Sequence, residues 1–72
     1  MNKRLMRTRL LVLRHARGWT QREVAAKAGI ERPLVTKLEV GLADNPTLDT
    51  LDGLARALGV SIAFLIGESD DP

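Results

Sequence analysis

The chain contains no cysteine and no tyrosine, and only one tryptophan, one phenylalanine and one histidine. Without thiols there is no disulfide framework and no thiolate zinc site to reinforce a small core. Two aromatics, Trp19 and Phe64, are too few for the stacked platform that holds single-stranded nucleic acid. His15, Ser61, Ser69 and the absence of a glycine-rich phosphate loop leave no nucleophile–base constellation, so the chain does not read as an enzyme. One histidine and scattered carboxylates make no transition-metal site, and no cofactor is implied. Uninterrupted apolar runs such as Leu10 to Leu13 fall far below the ~20 residues that span a bilayer. Arginines punctuate the basic start where a secretory h-region would lie, so the expected location is the cytoplasm, with no membrane partner.

What is present is one small domain. Seventy-two residues bury only about 60% of their unfolded surface, so stability is marginal. A hydrophobic content of 44% and a charged content of 28% are those of a globular chain. The net charge of +2 conceals an asymmetry. Lys3, Arg4, Arg7, Arg9, Arg14, Arg17 and Arg22 precede the first acid, Glu23, whereas the remainder sets four bases against nine acids. Such polarity suits a polyanion approached by one end of the molecule, and equally a merely soluble surface.

Glycines at 18, 29, 41, 59 and 67 divide the chain into five helical stretches with almost no strand signal. The first runs from near Asn2 to Arg17 with Met6, Leu10, Leu13 and Arg17 on one face. Thr20 and Glu23 form a capping box at the start of the second, with Trp19 placed to staple onto Val24. The third begins at Glu31, a poor N-cap, with Pro33 in its first turn. The fourth, from Thr47 to Gly59, turns Leu48, Leu51, Leu54, Ala55 and Leu58 to the core, and a short fifth runs from Val60 and Ser61 through Ile66. Residues 1–67 form the domain, followed by an acidic flexible tail, 68–72.

Only Gly29 to Glu31 separate the second and third helices, the length of a helix-turn-helix corner. At helical spacing Leu34, Val35 and Leu38 share the buried face of the third helix, while Arg32, Pro33, Thr36 and Lys37 share the outward one. Arg and Lys can donate to guanine O6 and N7, a threonine methyl can meet a thymine methyl, and a glutamate can accept from cytosine N4. Taken alone, the same stripe is also an ordinary solvated face.

The segment GWTQREVAAKAGIERPLVTKLEVG, followed by NPTLDTLDGLARALGVSIAFLI, resembles the lambda-repressor-like helix-turn-helix family of Cro/CI or xenobiotic-response-element type, nearly from residue 5 to 67. The resemblance implies an all-α, compact five-helix domain with a central helix-turn-helix. Its function would be that of a sequence-specific regulator of double-stranded DNA, most plausibly a repressor. It further implies that Gln21 contacts a phosphate, with Arg22 adding a cationic contact, and that Arg32, Pro33, Thr36 and Lys37 face bases. Arg14 and Glu39 match a pair that braces the first helix to the end of the third. Departures from the family pattern are Glu31 at the cap position near the groove, Pro33 in place of a hydrogen-bonding reader, and a Gly41–Pro46 loop in which only Asn45 or main-chain amides could reach phosphate. Arg9 is expected among the remaining phosphate contacts.

One recognition helix reads few base pairs, so a homodimer on a palindrome with half-sites ~34 Å apart is expected. Phe64 and Ile66 exceed the core needs of the fifth helix, where Ile62 and Leu65 suffice, and mark the expected dimer interface. The alternative function is an antitoxin-type protein that binds a toxin partner and its own promoter.

Overall fold

A computed structural model describes all residues from Met1 to Pro72. Asn2 opens α1 (Lys3–Ala16) with its side-chain oxygen on the Leu5 amide at 2.9 Å. Four further helices follow: α2 (Gln21–Ala28), α3 (Arg32–Val40), α4 (Leu48–Leu58) and α5 (Ile62–Leu65). There is no strand, and the architecture is the expected all-α five-helix domain. No helix is long and apolar enough to cross a membrane.

The starts of the helices follow from side-chain chemistry. Thr20, Thr47 and Ser61 each accept an amide of the first turn of α2, α4 and α5, a contribution of about 1 kcal/mol per cap. Glu31, at the start of α3, makes no such bond. Gly29 ends α2 in the left-handed conformation, at φ 71°, where a β-carbon would be strained. The Ile30 amide then turns back onto Ala25 O at 3.0 Å, and Ile30 packs against the core. That closure sets the angle between α2 and α3.

A single apolar cluster fills the centre. Met6 and Leu10 of α1, Val24 and Ala25 of α2, Val35 and Leu38 of α3, Leu51, Leu54, Ala55 and Leu58 of α4, and Leu65 of α5 are all buried in it. Trp19 is half-buried against this cluster, with Lys27 Nζ 4.7 Å from its ring centroid. The backbones of α2 and α4 approach closely. A β-carbon on Gly53 would lie 2.2 Å from Ala28 O, so only glycine allows α4 to cross the end of α2 at this separation.

Leu48 departs from expectation, being 70% exposed. It is the first residue of α4, and helical side chains lean toward the N-terminus, so its side chain projects past the start of the helix rather than onto its neighbours. Thr50 is buried instead, its hydroxyl bonded to that of Thr47 at 3.1 Å. The acidic tail also departs from the free segment anticipated. Ser61 N–H donates to Pro72 O at 2.7 Å, Glu68 N–H to Ala63 O at 2.9 Å, and the Met1 amine meets Glu68 at 2.6 Å. The tail is docked because its carbonyls and carboxylates meet donors from Ser61 at the start of α5 and from Met1 and Arg9 at the start of the chain.

Candidate nucleic-acid interface

The N-terminus of α2 presents free amides framed by its own cap. Thr20 Oγ1 accepts the Glu23 amide at 3.0 Å, and Glu23 Oε1 accepts the Thr20 amide at 3.1 Å. The backbone N–H of Thr20, followed by its side chain, holds the Glu23 carboxyl below its usual range. With those two amides satisfied, the Gln21 and Arg22 amides remain without an intramolecular acceptor at the positive end of the helix. Arg14, Thr20, Gln21, Arg22 and Arg32 line an open concavity of about 540 Å³ there, without one apolar side chain. Backbone donors, the helix dipole and the guanidinium groups of Arg22 and Arg32 give this surface a positive potential, the Arg14 charge being paired with Glu39.

Behind it lies a hydrogen-bond chain that ties three helices together. Glu39 is 6% exposed and would be costly to bury unpaired. Arg14 meets it with two bonds, Nε to Oε2 at 2.6 Å and Nη2 to Oε1 at 2.9 Å. Gln21 Nε2 donates to the same carboxylate at 2.9 Å, and Thr36 Oγ1 donates to Gln21 Oε1 at 2.6 Å. A third Arg14 bond reaches Trp19 O at 2.8 Å. The first turn of α2 is therefore held to both α1 and α3.

On α3, Glu31, Arg32, Pro33 and Lys37 are exposed and Thr36 is half-buried, while Val35 and Leu38 face the core. Arg32 also lines the concavity at the start of α2, so one continuous surface carries Gln21, Arg22 and the outward stripe of α3. Asn45 is exposed on the α3–α4 loop, beside a second concavity lined in part by Leu34 and Leu42.

Arg9 does not belong to this surface. Its guanidinium donates to Phe64 O, to Ser69 O at 2.7 Å and to Asp70 at 3.0 Å, and lies 3.9 Å from the centroid of the Phe64 ring. Those contacts leave its side chain 14% exposed, which removes it from the phosphate set. The same contacts alter the expected dimer surface. Phe64 is half-buried beneath Arg9, and Ile66 is packed against the core, so neither is a free apolar contact. Arg17 caps the end of α4 by donating to Leu58 O, and Lys3 pairs with Asp44 at 3.4 Å. Sequence reasoning did not assign Gln21 and Thr36 to the Glu39 network. The only signal was their adjacency to the Arg14 and Glu39 positions once α2 and α3 are folded together.

A capped helix, a three-residue corner closed by a left-handed glycine, and a second helix with an exposed cationic stripe define a helix-turn-helix domain. The helix-turn-helix family model matches residues 10–65, and the chain belongs to the Cro/C1-type helix-turn-helix family of transcriptional regulators. It is 39% identical over 69 residues to an uncharacterized HTH-type transcriptional regulator, y4dJ, of Sinorhizobium fredii, a match covering 96% of this chain and 88% of the relative. It is 30% identical over 63 residues, 88% of the chain, to the HTH-type transcriptional regulator SinR of Bacillus licheniformis. It is 35% identical over 60 residues, 83% of the chain, to the immunity repressor protein of Bacillus phage phi105. The matches span 57% and 41% of those two longer relatives. No solved structure matches the chain significantly.

Proposed function

We propose that the chain is a sequence-specific regulator of double-stranded DNA, acting in the cytoplasm as a repressor that occupies a promoter. The observation that carries this reading is the shared surface of the α2 N-terminus and the outward face of α3. With α3 in the major groove, Arg32 and Lys37 reach guanine O6 and N7, Pro33 and Thr36 supply apolar contact, and Glu31 accepts from cytosine N4. Gln21 and Arg22 hold a phosphate through their amides and side chains and set the register of α3. Asn45, exposed on the α3–α4 loop, adds a backbone contact in this reading. The surface holds anion-binding groups and no nucleophile–base pair, which suits binding rather than catalysis.

A single copy has little nonspecific affinity, with a formal net charge of +2. Two copies on a palindrome, with recognition helices ~34 Å apart, supply the remainder. The antitoxin reading relied on the acidic tail as the segment open to a protein partner, and the docked tail gives it no support. Selection of bound sequences from random DNA, followed by footprinting, tests the proposal. A palindrome with half-sites one helical turn apart is the expected outcome, and enrichment of no sequence would refute it.

A further inference from the structure

We infer that Thr36 reads the 5-methyl group of a pyrimidine, thymine in ordinary DNA, through its own methyl group and not through its hydroxyl. The inference rests on the proposed docking of α3 in the major groove and specifies what that helix recognises. From the sequence alone an outward threonine offers a hydrogen-bond donor and a methyl; the hydrogen-bond chain beneath it spends the donor.

The direction of the chain is set at Glu39. A carboxylate only accepts, and Arg14 already donates to it at 2.6 and 2.9 Å, so the Gln21 amide must face it nitrogen first, as it does at 2.9 Å. The oxygen of that amide is thereby turned toward α3. An acceptor needs a donor, and the one presented is the Thr36 hydroxyl at 2.6 Å. A hydroxyl has one proton, and this one is committed. The same oxygen also lies 3.4 Å from Arg32 O, one turn back along the helix.

With Oγ1 held in place, the staggered geometry about Cα–Cβ also fixes Cγ2. The methyl is then the group Thr36 offers to the groove. Pro33, exposed one turn earlier on the same face, has no side-chain donor or acceptor and extends the apolar contact. Arg32 and Lys37, both exposed, flank the pair with cations. The resulting reader is a methyl-sized apolar contact beside guanine-directed donors. It recognises a 5-methylpyrimidine rather than an edge that needs a donor from Thr36.

The test uses the full chain and the DNA site enriched from random sequence. Each thymine is replaced singly by deoxyuridine, which removes the methyl and leaves every hydrogen-bonding edge intact. At one position per half-site affinity is expected to fall about fourfold, the amount that burying one methyl group is worth. Thr36→Val, which keeps a methyl there, retains that dependence on the thymine methyl. Thr36→Ser, which keeps only the hydroxyl, binds thymine and uracil sites alike. A 5-methylcytosine·guanine pair at that position binds more tightly than cytosine·guanine by a similar factor. Uracil tolerance throughout a well-defined site overturns the methyl reading alone, as does a serine variant that still discriminates. Failure to enrich any sequence overturns the docking of α3 and this inference with it.

Discussion

Removing Arg14 would leave the Glu39 carboxylate, 6% exposed, with Gln21 as its remaining side-chain partner. Stripping one member from a buried ion pair costs about 3–5 kcal/mol, comparable with the whole stability of a domain this small. Arg14→Ala is therefore expected to unfold at much lower urea concentration than the parent, read by circular dichroism. Loss of an unpaired surface charge, Arg4→Ala, should leave the unfolding free energy within about 0.5 kcal/mol of the parent. Base-facing residues behave differently. Arg32→Ala is expected to relax preference at one position of the site by about 1–3 kcal/mol without altering the fold, because Arg32 makes no side-chain ion pair or hydrogen bond within the chain. Equal losses on specific and random DNA would contradict its assignment to a base. Helical periodicity was enough to place Arg32, Pro33, Thr36 and Lys37 on one side of α3. It could not place Arg9, whose partners lie 55 to 61 residues away in the sequence and meet it only once the tail folds back.

At the scale of elements, local chemistry explains the boundaries and tertiary contact explains the exceptions. The capping box at Thr20 and Glu23, the glycine ends of α2 and α4, and the weak cap at Glu31 are all legible in short stretches of sequence. The α2 start is also pH-sensitive. The Glu23 carboxyl titrates below its unfolded range because it accepts the Thr20 amide, so its stabilising contribution is complete above the ordinary carboxylate range. The contribution is lost as pH falls through the lowered value. The protection factor of the Thr20 amide, its exchange relative to an unstructured peptide at the same pH, is expected to fall on acidification through that window, and Glu23→Gln should flatten the dependence; an unchanged profile in the variant would contradict it. Gly53 is the feature that reading element by element overlooks. Replacing a helical glycine by alanine ordinarily adds up to about 1 kcal/mol of stability. Here the new β-carbon would stand 2.2 Å from Ala28 O, and overpacking of that kind costs about 1–3 kcal/mol. Because the obstacle is backbone, the clash wins, and Gly53→Ala is expected to lower the thermal midpoint; an increase would show that α4 can shift away from α2.

The charge asymmetry has a different meaning at the scale of the whole molecule. Several bases of the N-terminal segment are matched by later parts of the chain: Lys3 by Asp44, Arg9 by Asp70 and Phe64, Arg14 by Glu39, and Arg17 by the end of α4. Much of the basic beginning is thereby neutralised by later acids, and of the cations without an acidic partner Arg22, Arg32 and Lys37 lie around the start of α2 and the outward face of α3, with Arg4 and Arg7 on α1. Composition could show the imbalance but not this cancellation, which depends on long-range folding. With few free cations per copy, binding is expected to show a modest salt slope, and Arg22→Ala should reduce it by about 0.9 per copy bound if that residue holds one phosphate. The same replacement should weaken all sequences alike. The most direct test of the central claim is therefore to measure the affinities of the parent, Arg22→Ala and Arg32→Ala for the selected site and for random duplex DNA. The account predicts that Arg22→Ala lowers both affinities by a common factor while Arg32→Ala lowers chiefly the specific one. Loss of discrimination on removing Arg22, with none on removing Arg32, would contradict the division of labour between α2 and α3.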